Sequence, residues 1–160
     1  MKYIPRVIKI RPNRTKYFLE IAKISSTRSS CSKLAVGAVA VKDNHIIMTS
    51  YNGSPPRASH CIDVGCLNID GHCQRTIHAE MNIILACAKY GVNLDTATIY
   101  TTHEPCFVCL KLMIGAGVKQ VIYLEDKTDS RTPEEYYHLI EVLKYDEKNN
   151  NYIPKLSPFY

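Results

Sequence analysis

His78, Glu80, Cys106 and Cys109 are the residues whose types and spacing point most directly to chemistry. The segments His78-Ala79-Glu80 and Pro105-Cys106-Phe107-Val108-Cys109 together offer one imidazole, two thiols and a carboxylate. Imidazole nitrogen and thiolate sulfur are good zinc ligands, and a zinc with three protein ligands keeps a fourth position for water, as catalytic sites do. Zinc lowers the pKa of that water towards neutrality, so a nucleophile becomes available without strong base. Glu80, two residues beyond the histidine, is then free to carry protons between water, substrate and leaving group. One neutral imidazole, two thiolates and a divalent cation sum to no formal charge, which lessens the penalty of partial burial.

The flanking sequence must hold these groups in place. Apolar Ile77, Ile84, Leu85 and Ala88 predict an amphipathic helix over 77–89 that opens at the histidine. Pro105 suits a first helical turn, because its missing N–H would have no intrahelical partner there. Cys106 and Cys109, three apart, then share one face of a second helix continued by Leu110, Met113 and Ile114. Taken singly, His78 reads as a hydrogen-bonded histidine and the cysteines as buried thiols. A structural zinc would require a fourth ligand nearby. Neither reading accounts for the paired spacing together with Glu80, whereas H-x-E with P-C-x-x-C is the signature of zinc nucleobase deaminases.

At 160 residues, with 46% hydrophobic and 22% charged residues, the chain is expected to form one domain with a substantial core. Its core is expected over about 15–145, with a basic N-terminal extension and a C-terminal tail. No apolar run reaches membrane-spanning length, and the start lacks a signal-peptide core. Seven cysteines, an odd number with two in a metal motif, fit a reducing cytoplasm better than a disulfide scaffold. The net charge of +5 suits an anionic partner. Lys2, Arg6, Lys9, Arg11, Arg14 and Lys16 cluster near the start, but interleaved Tyr3, Ile4, Val7, Ile8 and Ile10 favour a segment that packs.

Along the chain, Asn13 or Thr15 is placed to cap a helix carrying Tyr17, Phe18, Ile21, Ala22 and Ile24. Strands are expected over 35–41 and 46–51, joined by a turn at Asp43-Asn44, and a long Cys- and His-bearing loop follows Gly53. Further strands are expected over 98–101 and 120–124, with a final helix over 133–144. Alternation of this kind implies α/β architecture, a sheet with helices against its faces.

Longer stretches resemble the deoxycytidylate (dCMP) deaminase family. The carriers are Arg28-Ser29-Ser30-Cys31, Val36-Gly37-Ala38-Val39, Tyr51-Asn52-Gly53-Ser54-Pro55 and Gly71-His72-Cys73-Gln74-Arg75-Thr76-Ile77-His78-Ala79-Glu80. The likeness runs over about 17–126. It implies a cytidine deaminase-like three-layer α/β/α sandwich with a central mixed sheet, and zinc-dependent hydrolysis of dCMP to dUMP and ammonia, feeding dTMP synthesis. In that family's terms Glu80 is the catalytic acid–base, and His78, Cys106 and Cys109 hold the catalytic zinc. Asn52 would contact the sugar and base, and Arg28 and Tyr123 the 5′-phosphate; an arginine fork suits phosphate well.

The resemblance also implies a second, structural zinc on Cys31 and Cys61, completed from His60, Cys66, His72 and Cys73, with His72 and Cys73 preferred. Thr76 stands where relatives can place an acidic ligand. A nucleotide-effector loop at Tyr51, Asn52 and Gly53 is implied too, with dCTP activating, dTTP inhibiting, Mg2+ accompanying the triphosphate, and a homo-oligomeric (hexameric) assembly. Ser50 replaces that loop's usual first glycine, removing backbone freedom. Rival readings are a tRNA adenosine deaminase, a free-cytidine deaminase, and a non-catalytic zinc-stabilised nucleic-acid-binding module. The Tyr-Asn-Gly loop and Cys/His insertion oppose the first, Arg28 the second, and Glu80 the third. No membrane partner and no stable nucleic-acid partner are expected.

Overall fold

Two apolar sets alternate along the central strands, and that alternation dictates the layering. In the computed structural model, which describes residues 11–70, 72–127 and 131–155 (without the His72 side chain), β1 spans Gly37–Lys42. Its Ala38 and Ala40 join one core cluster, and Val39 and Val41 the other. Ile99 and Tyr100 divide the same way in β5 (Thr98–His103), as do Val121 and Ile122 in β6 (Gln120–Glu125). Successive strand side chains point to opposite faces, so these strands are buried on both sides. One face takes α1 (Arg14–Ser26) through Phe18, Leu19 and Ala22. The other takes α3 (Ala79–Tyr90) and α4 (Phe107–Gly115) through Ile83, Cys87, Leu110 and Met113. This is the three-layer α/β/α sandwich.

The sheet is mixed, in the order β2-β1-β5-β6-β7-β8. Here β2 is His45–Tyr51, β7 is Glu141–Asp146 and β8 is Asn151–Pro154. The β5, β6 and β7 strands run parallel, while β1 is antiparallel to both β2 and β5. Asp43 and Asn44, with φ of 50° and 64°, make the predicted tight hairpin turn; left-handed φ at both positions matches the twist of the strands it joins. Asn13 caps α1 by accepting from the Lys16 N–H at 2.7 Å. At Gly37 a Cβ would lie 2.0 Å from the Ala22 carbonyl oxygen, so only glycine lets α1 rest on β1.

Two expectations change in the C-terminal third. Over 133–144 a short 3₁₀ turn, Glu134–His138, replaces most of the expected helix, and β7 takes the remainder. Glu141 to Lys144 pair with Gln120 to Tyr123 along β6, burying Val142 while satisfying backbone groups on that side of β6. Tertiary pairing thus outweighs the helical propensity of Glu, Leu and Lys. Tyr152 and Ile153 of the tail dock as part of β8. Lys2, Arg6 and Lys9, like Leu156, Phe159 and Tyr160, lie outside the described residues. The long loop after Gly53 carries α2 (Cys61–Val64) and a hairpin of β3 (Asn68–Ile69) and β4 (His72–Cys73). Among the described residues no helix is long and apolar enough to cross a membrane.

Candidate zinc centre and an adjoining cavity

Both halves of the sequence motif sit at helix beginnings. His78 is the N-cap of α3 and Cys106 the N-cap of α4, each with extended backbone, and Cys109 falls in the first turn of α4. The His78 and Cys106 carbonyls accept the first intrahelical bonds, from Asn82 and Leu110, each at 2.9 Å. Two helix N-termini therefore bring their ligands together with the positive ends of their dipoles nearby, an environment that favours thiolate.

The His78 Nδ1 lies 3.4 Å from the Cys106 sulfur and 3.4 Å from the Cys109 sulfur. All three ligand atoms lie within 4.8 Å of one another. Tetrahedral zinc with ordinary Zn–N and Zn–S bonds would hold such a nitrogen and sulfur about 3.5 Å apart, so the donor set fits the ion in type and spacing. A hydrogen bond from Cys109 pulls the Cys106 thiol down to about 3, against burial, with His78 helping. Cys109, the donor, is pushed up by the same bond and by burial. The hydrogen bond with Cys106 raises His78.

Glu80 is 4% exposed and sits in the first turn of α3. Burial pushes its carboxyl above the ordinary carboxylate range, so a proton is held more readily than on a surface glutamate. Ser50 steadies this turn by donating its hydroxyl to the Ala79 carbonyl at 2.6 Å. Ser50 lies in β2 opposite Ala38 and is absent from the residues with positive φ, so this position does not use a glycine's backbone freedom.

The residues flagged for phosphate, sugar and effector contact separate into different places. Arg28, Tyr51 and Gly53 line a cavity of about 570 Å³ together with Ser30, His60 and Asn82. Neither His78, Glu80, Cys106 nor Cys109 lines it. Arg28 thus shares this cavity with Tyr51 and Gly53 of the Tyr-Asn-Gly loop. Asn52 is 5% exposed, and its amide is committed to the neighbouring loop. Its Oδ1 accepts from Ser29 and from the Val36 N–H, while Nδ2 donates to the Leu34 carbonyl. Its contribution in this structure is to shape the loop.

Tyr123, expected at the 5′-phosphate, is a buried strand residue. It is 1% exposed, its hydroxyl donates to Asp126 at 3.0 Å, and Lys155 lies over its ring. Strand alternation places it with Val121 in the core against α3 and α4. Sequence reading missed Glu104, 3% exposed, which pairs with Lys155 at 3.1 Å and accepts from Tyr137. An acid directly before Pro105 in the cysteine motif was the available signal.

The expected second-metal set of Cys31, Cys61, His72 and Cys73 is redrawn. Cys61, Cys66 and Cys73 are the cysteines whose sulfurs gather within 4.8 Å, and Cys31 is not among them. Ser32, the next residue, approaches instead, its hydroxyl 3.5 Å from the Cys66 sulfur. The His72 side chain lies outside the described residues.

Comparison with known proteins agrees with this geometry. The chain is 52% identical to ComE operon protein 2 of Bacillus subtilis over 111 residues, covering 69% of this chain and 59% of that protein's length. It is 36% identical to the deoxycytidylate deaminase of Mycobacterium phage D29 over 124 residues, covering 71% of this chain and 95% of that protein. The crystal structure of dCMP deaminase from cyanophage S-TIM5, in complex with dCMP and dUMP, superposes with a TM-score of 0.74 at 30% identity. That superposition covers 84% of this chain and 98% of the phage chain. The sequence profile of the cytidine and deoxycytidylate deaminase zinc-binding region matches residues 12–125, and the chain belongs to that family.

Proposed function

We propose that this protein hydrolyses dCMP to dUMP and ammonia, using His78, Cys106 and Cys109 as zinc ligands and Glu80 as the proton carrier. The observation that carries the proposal is the convergence of those three donor atoms within 4.8 Å beside a buried, unliganded glutamate. The likeness to the mycobacteriophage deoxycytidylate deaminase over nearly that protein's whole length supports the substrate. Zinc bound there would supply Lewis-acid activation of water at neutral pH. Glu80 takes up the proton that water gives up and delivers it to N3 of cytosine. It then takes the proton of the new C4 hydroxyl and passes it to the amino nitrogen, so that the C4–N bond breaks as the C4 carbonyl forms. Its raised affinity for a proton suits both transfers. Water supplies the oxygen of dUMP, and the amino group departs as ammonia.

The product would feed dTMP synthesis in a cytoplasmic setting, and the seven free thiols support a reducing compartment. The purified chain should release ammonia from dCMP well above CMP, deoxycytidine, dCTP or an adenosine-containing tRNA. Release from the tRNA alone would replace this reading with the adenosine deaminase one.

Regulation by dCTP and dTTP, with Mg2+ accompanying the triphosphate in a homo-hexamer, belongs to the same proposal. Its support is the cavity beside the Tyr51-Asn52-Gly53 loop, whose size falls in the range of small-molecule sites. Hydroxyls and Arg28 line it, a chemistry suited to phosphate and ribose. Arg28→Ala should abolish the activation by dCTP, seen as a sigmoidal dCMP curve that dCTP no longer makes hyperbolic, while kcat stays near wild type. If instead KM for dCMP rises and dCTP still activates, Arg28 serves the substrate phosphate.

A further inference from the structure

The carboxylate of Glu104 is buried, yet it ties together stretches of chain that are far apart in sequence. Glu104 lies on the connection from β5 to α4, and its side chain is 1% exposed. Its N–H donates to the Glu125 carbonyl at 2.9 Å, which fixes its backbone to the end of β6. One carboxylate oxygen, Oε2, pairs with the Lys155 ammonium at 3.1 Å and accepts from the Lys127 N–H at 3.3 Å. The other, Oε1, accepts from the Tyr137 hydroxyl at 3.2 Å. Burying a carboxylate is costly unless it is paired and hydrogen-bonded, and a satisfied one holds its neighbours in a defined geometry. The deamination reaction makes no use of this charge.

The cation comes from the far edge of the sheet. Lys155 follows β8, which is separated from β6 by β7, and its own N–H is anchored to the Val142 carbonyl at 3.0 Å. Its ammonium lies 5.7 Å from the centroid of the Tyr123 ring and 3.5 Å from Asp126, which also accepts from Lys144 and Tyr123. Asp126 is half exposed, so water screens its pairs. Glu104 has no such relief.

We propose that Glu104 and Lys155 are positioning residues for the zinc centre: their ion pair fixes the peptide that presents Cys106, so the C-terminal strand governs how tightly the metal is held. Glu104 stands two residues before Cys106, and Pro105 between them has a fixed φ, so a shift of the carboxylate reaches the ligand with little slack. The same segment is gripped a second time. Phe107, directly after Cys106, meets the Tyr136 ring edge-on at 4.7 Å, beside the Tyr137 that bonds Glu104. Lys155→Met leaves the buried carboxylate short of a cation, and breaking such a pair from one side is strongly destabilising. The carboxylate then turns towards water and draws the Cys106 peptide with it. The inference rests on the zinc centre proposed above and not on the identity of the substrate.

The test is protection of Cys106 from alkylation, read by peptide mass spectrometry on the reduced full chain over a series of buffered free-zinc concentrations. It reports on this centre alone and needs no turnover. Groups that orient a metal ligand contribute about 10–100-fold to affinity, so Lys155→Met should need at least about tenfold more zinc for half-protection. Lys155→Arg should match wild type, because its guanidinium restores the charge. Lys144→Met, which breaks the more exposed pair with Asp126, should also match it, as should Tyr152→Phe, which loosens β8 at its bond to Thr15. The double variant Glu104→Gln with Lys155→Met should hold zinc better than Lys155→Met alone, since no buried charge is left short of its partner. A Lys155→Met midpoint equal to wild type, whatever its melting temperature, would make the pair purely structural and overturn the inference. Equal weakening by Tyr152→Phe would overturn it too, as a general loosening of β8. Protection that survives His78→Ala would remove the zinc centre and this inference with it. Protection lost in His78→Ala but unchanged in Lys155→Met would leave the centre standing and overturn the inference alone.

Discussion

Glu80→Gln is expected to lower kcat for dCMP by at least roughly 10²–10⁴-fold, the range that a positioned general acid–base contributes. The substitution preserves shape and removes only the ability to gain and lose a proton. Glu80 is 4% exposed and burial already opposes its charged form, so a neutral amide there should be tolerated. Zinc content and melting temperature should therefore match wild type. The loss would then lie in proton transfer rather than in folding or metal binding. Rate measurement alongside metal analysis checks this, and a variant turning over near the wild-type rate would remove Glu80 from the mechanism.

Cys109→Ser is expected to lose both zinc at this centre and measurable turnover. Cys109 is wholly buried, so water cannot readily replace its sulfur as a ligand. A serine hydroxyl does not ionise near neutral pH and is a harder, weaker donor for zinc. Loss of a partner behind a ligand weakens metal affinity about 10–100-fold, and loss of the ligand itself should exceed that. Cys87→Ala is the control: Cys87 is equally buried, on the core side of α3, but does not join the zinc group. It should lose some stability and keep its zinc. A Cys109→Ser protein with full zinc and normal rate would show that two donors suffice.

The grouping of His78, Cys106 and Cys109 was legible in the sequence because zinc chemistry restricts both residue type and local spacing. His78 and Glu80 sit two apart and Cys106 and Cys109 three apart, so each half is fixed by its own helix start. Most strands were legible for a similar local reason, since β1 and β6 are continuous apolar runs bounded by turns. Residues acting through long-range packing were harder to read. Tyr123 has a polar end, but its place on β6 turns it into the core. Arg28 faces a cavity whose other walls come from β2, α2 and α3. The exchange of Cys31 for Cys66 depends on how the insertion folds back, which spacing does not fix. β7 was misread because Tyr136, Tyr137, Ile140 and Leu143 also fit a helical period, and only the open side of β6 decides between them.

One short ladder gives the molecule a mechanical property. Gly53 and Ile77 exchange two backbone hydrogen bonds, at 3.1 and 2.9 Å, and Asn82 donates to the Tyr51 carbonyl. Ile77 directly precedes His78. Whatever tugs the rim of the cavity therefore pulls on a tether one peptide away from the imidazole. The loop that lines the cavity and the start of α3 are thus joined by backbone bonds and not by side-chain packing alone.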